Sequence, residues 1–159
     1  MALHYDLDEV AALGAQIAQI VRPGDAVGLV GGLGAGKTTL VRAILKAMGL
    51  VGEAPSPSFA IVQPYAPPEL PVHLLHIDLY RIEDGEEIGE LGLDEARADH
   101  ILLIEWPERM GRYAWPDMLM LTIEETAEKS GAESAEDGVL RARRLTAAVP
   151  PAWEGRWPF

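Results

Sequence analysis

The stretch that most constrains the fold runs from Gly31 to Thr39 and reads GGLGAGKTT. It fits the pattern of Gly, four residues, and then Gly-Lys-Ser/Thr. An apolar run of strand length, residues 26–30, precedes it, and apolar residues recur at helical spacing over residues 40–48. Because a strand, a glycine loop and a helix in this order are the context that the pattern requires, we predict a phosphate loop.

The residue types in this loop suit the binding of phosphate oxygens. Glycine at positions 31, 34 and 36 lets backbone N–H groups approach an anion and permits unusual dihedral angles. The helix that begins near Lys37 adds its positive N-terminal end. Lys37 supplies a mobile charge for the β and γ phosphates, and the hydroxyl of Thr38 is placed to ligate Mg²⁺.

Two apolar segments each end in an acidic residue. Asp78 follows the apolar run 72–77, and Glu105 follows the apolar run 101–104. In phosphate-loop enzymes a buried strand delivers a carboxylate to its C-terminal end, beside the nucleotide, where it serves the metal. Both acids are therefore candidates for one metal role, and the alternative for either is a structural cap.

Other residues near these segments each have two interpretations. Ser56 and Ser58 follow the first helix after the loop, where phosphate-loop proteins often carry a segment that senses the γ phosphate; the alternative is an ordinary turn. Trp106 either packs in the core or stacks beside the site. His73 and His76 have no metal-ligand spacing to another histidine, so we interpret them as structural.

The two ends of the chain also offer candidate contacts. Residues 7–21 carry a helical apolar stripe, and Asp6 and Glu9 are spaced like a capping box before it. The start of this helix either lines an adenine pocket or simply packs on the sheet. The arginines of the predicted last strand, residues 138–147, either reach the nucleotide or are exposed edge charges.

Length and composition predict the domain organisation. A length of 159 residues with 48% hydrophobic and 24% charged residues predicts one domain, residues 1–148, followed by a proline and aromatic tail, residues 149–159. The tail either packs back on the domain or engages a partner.

The net charge narrows the possible partners. A net charge of −12 argues against direct electrostatic binding of nucleic acid or an anionic membrane. The acidic stretch 83–99 is either a solvated face or a docking surface for a basic partner.

Missing residue types exclude further classes. The absence of Cys excludes disulfides, thiol catalysis and zinc-thiolate sites. The sequence has no Asn, so the guanine-reading Asn-Lys-x-Asp element cannot be present in its usual form, and ATP is favoured over GTP. No signal segment and no apolar run of membrane-spanning length is found, so we expect a cytoplasmic protein without a membrane contact.

The candidate functions at this point are a small-molecule kinase, an ATPase that acts as a switch within a complex, and a nucleotide-binding module. A kinase needs an acceptor pocket and usually a lid whose arginines close over the phosphates. The arginines here are scattered among acids, and no lid is evident. The kinase remains the alternative to the ATPase.

Several segments together resemble one family, TsaE (also called YjeE), the bacterial ATPase of tRNA threonylcarbamoyladenosine biosynthesis. The matching segments are LGAGKTT (33–39), SPSF (56–59), HIDLYR (76–81), ELGL (90–93) and IEWPE (104–108). They lie in the family's order and cover roughly residues 7 to 123. The phosphate loop is shared by countless proteins, whereas HIDLYR followed by EWP is specific.

The resemblance implies an α/β fold of the P-loop NTPase type, with three layers and a mainly parallel central sheet. It also implies weak, Mg²⁺-dependent ATP hydrolysis that drives or resets a complex of TsaD and TsaB. In that complex TsaD transfers the threonylcarbamoyl group to adenosine 37 of tRNAs that read codons beginning with A. The expected cofactors are ATP and Mg²⁺, and tRNA would be met only through the complex.

The resemblance also implies roles for individual residues. It places Thr38 and Glu105 at Mg²⁺, and Asp78 beside the metal or the attacking water; Lys37, Asp78 and Glu105 are thus the candidate catalytic residues. The mobile switch of the family corresponds to Ser56 and Ser58, with Trp106 close by. The candidate nucleotide-binding residues are Gly34, Ala35, Gly36, Lys37, Thr38, Thr39 and, near the adenine, Val10.

Three positions depart from the family pattern. Ser58 stands where the family usually has Thr, which keeps a hydroxyl but loses the methyl group that restricts its rotamer. Val10 stands where the family often has Thr near the adenine, so that polar contact is lost. Gly32 replaces a frequent Asp, and we expect the backbone cradle to stay intact.

Overall fold

The computed structural model describes residues 2–54, 61–126 and 142–159. Its strands are β1 (Ala2–Tyr5), β2 (Ala26–Val30), β3 (Val62–Tyr65), β4 (Leu74–Asp78), β5 (Ile101–Glu105), β6 (Leu119–Thr126) and β7 (Ala142–Ala148). Its helices are α1 (Val10–Ile20), α2 (Lys37–Ala47), α3 (Glu86–Glu90) and α4 (Leu93–Arg97), with 3₁₀ helices η1 (Pro107–Tyr113) and η2 (Pro151–Trp153). In this described part, no helix is both long enough and apolar enough to cross a membrane.

All seven strands form one sheet in the order β1-β7-β6-β2-β5-β4-β3. The central strands β6, β2, β5 and β4 pair in parallel, and β1, β7 and β3 are added to the two edges by antiparallel pairing. Parallel neighbours bring their C-terminal ends to the same edge of a sheet, next to the loops that follow them. The predicted α/β fold with a mainly parallel sheet is confirmed.

Side chains on the central strands alternate between two apolar layers. On β5, Ile101 and Leu103 belong to the cluster that packs against α1 and α2, whereas Leu102 and Ile104 belong to the cluster that includes Ile88 of α3. Successive residues of a strand point to opposite faces, so a fully apolar strand must be covered on both sides. The three predicted layers are therefore helices, sheet, and helices.

The helix α1 starts after the predicted capping box. The backbone N–H of Glu9 donates to Oδ1 of Asp6 at 3.1 Å, and the backbone N–H of Asp6 donates to Oε2 of Glu9 at 3.0 Å. One turn later, Gly14 lets α1 approach α2: a Cβ at this position would lie 2.6 Å from the Cβ of Ala43 and 2.7 Å from its carbonyl carbon. Gly14 therefore lets α1 pack closely on α2, the helix that begins at Lys37.

Both ends of the chain join the sheet or its core. The strand β1 was not predicted; its four residues pair with β7, with His4 opposite Arg144. The last predicted strand is observed as β7, and residues 138–141 of the prediction lie outside the described part. The tail packs on the domain, with Trp153 only 1% exposed.

Candidate functional site

Residues 31–39, which we call the glycine loop, connect the C-terminal end of β2 to α2. Gly34 and Gly36 have φ angles of 76° and 108°, a left-handed backbone conformation that residues other than glycine rarely adopt. Left-handed residues in such a loop turn successive backbone N–H groups toward one concavity, which favours an anion. Ala35 lies between them, but its side chain is buried in the core.

The ammonium of Lys37, the first residue of α2, lies inside the curve of the glycine loop. Its Nζ donates to the carbonyl oxygens of Gly31 at 2.7 Å and Gly32 at 2.8 Å, and it lies 4.5 Å from the ring centroid of Trp106. Burial lowers the pKa of Lys37, while the nearby carboxylates, Glu105 foremost, act in the opposite direction. Two of the three N–H donors of the ammonium are thus engaged, and one remains for a ligand.

The two acid-ended strands bring their carboxylates together. Asp78 and Glu105 are register partners at the C-terminal ends of β4 and β5. The hydroxyl of Thr38 donates to Oε1 of Glu105 at 2.7 Å, which joins the glycine loop to the strand. Both candidate acids therefore occupy the same edge of the sheet, beside the loop.

His76, which the sequence analysis interprets as structural, contacts one of the candidate site residues. Its Nε2 lies 2.6 Å from Oε2 of Glu105, and both side chains are buried. His73, in contrast, is exposed and its ring lies 5.2 Å from the ring of His100. The signal that could have found His76 is its spacing from Asp78, because residues i and i+2 of a strand point to the same face.

Trp106 has an unusual backbone conformation, with φ 59° and ψ 49°. Its ring lies 5.1 Å from the ring of Tyr80 and close to the Lys37 ammonium. A left-handed tryptophan costs conformational energy, and such residues persist where the surrounding structure fixes them, often at functional sites. Of the two interpretations offered above, the position beside the site describes Trp106 better than simple packing.

These residues surround a pocket of about 390 Å³. The predicted site residues that line it are Val10, Gly34, Gly36, Lys37, Thr38, Thr39, Asp78, Glu105 and Trp106. Ala35 does not line it, and Ser56 and Ser58 lie outside the described residues. The structure thus brings most of the predicted residues to one pocket, while their roles remain predictions.

Further lining residues come from parts of the chain whose sequence pattern is weaker. Tyr5 on β1 and Leu7 after it line the pocket together with Tyr80, Arg81 and Arg143. Arg143 is only 9% exposed, and its Nε lies 3.4 Å from the position that a Cβ on Gly36 would take. Arg143 is therefore a buried pocket residue rather than an exposed edge charge.

Asp78 gives a prediction about folding stability. Burial raises its pKa above the ordinary value, and the charge of Glu105 adds to this, although the N–H of Tyr80 donates to Oδ1 at 3.0 Å. A raised pKa means that the folded chain holds the proton more tightly, so the free energy of unfolding falls as pH rises from the ordinary value of 3.8 through the raised value. Asp78→Asn should therefore raise Tm at pH 7, with the gain disappearing near pH 3.

Thermal unfolding followed by circular dichroism at several pH values measures this effect. Asp8→Asn is the matched control, because Asp8 is exposed and its substitution should leave Tm nearly unchanged at both pH values. A gain for Asp78→Asn that persists at pH 3, or no gain at pH 7, would show that burial of the Asp78 charge is not the cause.

Comparisons with known proteins identify a family. A family model described as "Threonylcarbamoyl adenosine biosynthesis protein TsaE" matches residues 4–134. The chain is similar to the "tRNA threonylcarbamoyladenosine biosynthesis protein TsaE" of Streptomyces coelicolor, at 37% identity over 118 residues, 70% of this chain and 76% of that protein. The protein of the same name from Bacillus subtilis is 33% identical over 122 residues, 76% of this chain and 75% of the relative.

A solved structure shares the fold over almost the whole chain. The crystal structure of YdiB from Bacillus subtilis superimposes with a TM-score of 0.71 at 25% sequence identity, and covers 98% of this chain and 91% of that one. The family model and the curated relatives both span most of the chain. The chain therefore belongs to the TsaE family of tRNA threonylcarbamoyladenosine biosynthesis proteins.

Proposed function

We propose that the pocket binds ATP with Mg²⁺, and that the chain hydrolyses ATP slowly by itself and faster in a cytoplasmic complex with TsaD and TsaB. The observation that carries this proposal is the convergence of an ammonium, a hydroxyl and two carboxylates on a loop with left-handed glycines. These are the groups that phosphoryl chemistry needs: donors for the phosphates, oxygen ligands for the metal, and a carboxylate for the water.

The phosphates would lie on the glycine loop. The N-terminal end of α2 and the concave backbone favour negative charge there, and Lys37 has an N–H left to donate to a phosphate oxygen. The base would extend toward three other lining residues of the pocket, Tyr5, Leu7 and Val10. Since Val10 offers no polar group, recognition of adenine at this position would rest on apolar contact.

The oxygen donors fit Mg²⁺. Hydroxyl and carboxylate oxygens are its preferred ligands, and Thr38 Oγ1 and Glu105 Oε1 are 2.7 Å apart with Asp78 next in register. Within the described ranges, no group of three or more His, Cys, Asp or Glu residues is arranged to hold a metal ion by itself. Phosphate oxygens and water would complete the shell, and the ion would neutralise charge on the β and γ phosphates.

Asp78 is the better candidate for orienting the attacking water. Both oxygens of Glu105 already have partners, Thr38 and His76, whereas Asp78 lines the pocket with Oδ1 accepting the N–H of Tyr80. Its raised pKa also makes its carboxylate a stronger proton acceptor than an ordinary aspartate. We therefore assign Glu105 to the metal side and Asp78 to the water.

The partner step is tested by ADP release from purified chain with Mg-ATP, first alone and then with a TsaD/TsaB complex. We expect slow turnover that rises when the complex is added. A turnover rate that does not change when the complex is added would contradict the partner role. A product phosphorylated in proportion to the ATP consumed, with a small-molecule acceptor present, would instead establish the kinase alternative.

A further inference from the structure

The Glu105 carboxylate is held from two sides. Its Oε1 accepts the hydroxyl of Thr38 at 2.7 Å, and its Oε2 lies 2.6 Å from Nε2 of His76. Glu105 is 2% exposed and His76 is 1% exposed, so water does not compete for either contact. One oxygen of the carboxylate is therefore bound by the glycine loop, and the other is bound by β4.

The strands explain why His76 can reach Glu105. His76 lies on β4 opposite Leu103 of β5, and Asp78, two residues later, lies opposite Glu105. His76 is thus a diagonal neighbour of Glu105 on the same face of the sheet, within reach of a long side chain. The contact is set by the register of two buried central strands, because a shift by one residue would turn every side chain of the strand to the other face.

The surroundings of the imidazole also define which nitrogen donates. Among the described residues, Nδ1 of His76 is buried and has no hydrogen-bond partner. A proton on Nδ1 would be a buried N–H without an acceptor, whereas a proton on Nε2 is donated to Oε2 of Glu105. A proton on Nε2 therefore satisfies the donor and gives the carboxylate a fixed partner.

From these contacts we propose that His76 is a positioning residue for Glu105. It fixes Oε2 so that Oε1 faces Thr38. Glu105 and Thr38 are thus already arranged as they would be when Mg²⁺ binds. The inference rests on the proposed function, since it takes Glu105 and Thr38 as ligands of Mg²⁺. Partners that orient a metal-binding carboxylate in this way typically contribute about 10- to 100-fold to metal affinity.

The test measures binding of fluorescent N-methylanthraniloyl-ADP as a function of Mg²⁺ concentration. His76→Leu removes the donor at similar volume, and we expect the Mg²⁺ midpoint to rise by about 10- to 100-fold while binding in EDTA stays unchanged. His76→Gln can donate from a similar position, so its midpoint should stay within a few-fold of wild type. His73→Leu, an exposed histidine near the same strand, is the matched control and should change nothing.

Two comparisons keep the inference and the proposed function separate. If the wild-type chain binds the nucleotide without any dependence on Mg²⁺, the proposed metal site is wrong. If wild type depends on Mg²⁺ and His76→Leu has the same midpoint, only the role of His76 is wrong. Should His76→Leu fail to fold, His76→Asn replaces it: Asn is too short to reach Oε2, and equal midpoints for Asn and Gln would overturn the inference.

Discussion

Lys37→Ala is expected to lower the rate of ATP turnover by at least ~100-fold, the usual effect of removing one charge-stabilising donor from an active site. Lys37 is 5% exposed, and its ammonium donates to the carbonyl oxygens of Gly31 and Gly32. The substitution therefore removes both the cation of the proposed phosphate site and a tether that holds the curve of the glycine loop. Burial of that cation costs solvation energy, so the fold itself should survive its loss.

Lys46→Ala is the matched control, because Lys46 lies on the same helix, α2, and is exposed. Its turnover should equal that of wild type. Steady-state ADP release measures the rate, and binding of the fluorescent nucleotide shows whether Lys37→Ala loses affinity or only chemistry. Turnover retained by Lys37→Ala would contradict the assignment of this pocket as the ATP site.

The part of the site that could be predicted from sequence is the part that local rules determine. A glycine loop between a strand and a helix needs only neighbouring residues, and its left-handed positions, Gly34 and Gly36, are glycines for that reason. Asp78 and Glu105 could be placed at one edge because parallel strands end together. The fold class, and not their separation in sequence, is the reason for expecting Asp78 and Glu105 to be neighbours.

The residues that sequence reasoning missed depend on pairing between distant segments. Tyr5 reaches the pocket because β1 pairs with β7, and a strand of four residues at an edge has too little pattern to be recognised. His76 reaches Glu105 through the register of β4 and β5, although its spacing from Asp78 indicated the correct face. The left-handed backbone of Trp106 has no signature in its neighbours at all.

Trp153→Ala is expected to lower the free energy of unfolding by about 3–5 kcal/mol, as for other large aromatic side chains removed from a core. Trp153 is 1% exposed and belongs to the cluster between the sheet and the helices α1 and α2. Its Nε1 donates to the carbonyl oxygen of Asp117 at 3.0 Å. The tail therefore supplies a core residue, although it lies beyond residues 7 to 123, which the family resemblance covers.

A partly buried ion pair attaches the same segment to the residue that precedes β2. Arg156 donates to both carboxylate oxygens of Asp25, at 2.8 and 3.0 Å, and to the carbonyl oxygen of Ile20 at 2.9 Å. Its guanidinium also lies 4.2 Å from the ring centroid of Trp153. Because Asp25 directly precedes β2, the strand that leads into the glycine loop, loss of the tail would loosen the support of the site as well as the core.

Urea unfolding followed by far-UV circular dichroism measures the loss without relying on tryptophan fluorescence. Trp157→Ala is the control from the same tail; Trp157 is only half-buried, and its substitution should cost clearly less. The loss of unfolding free energy for Trp153→Phe should lie between the losses for Trp153→Ala and Trp157→Ala. Phe keeps an aromatic ring in the core but leaves the Asp117 carbonyl without its donor. Equal losses for Trp153→Ala and Trp157→Ala would mean that the tail packs on the surface and contributes no residue to the core.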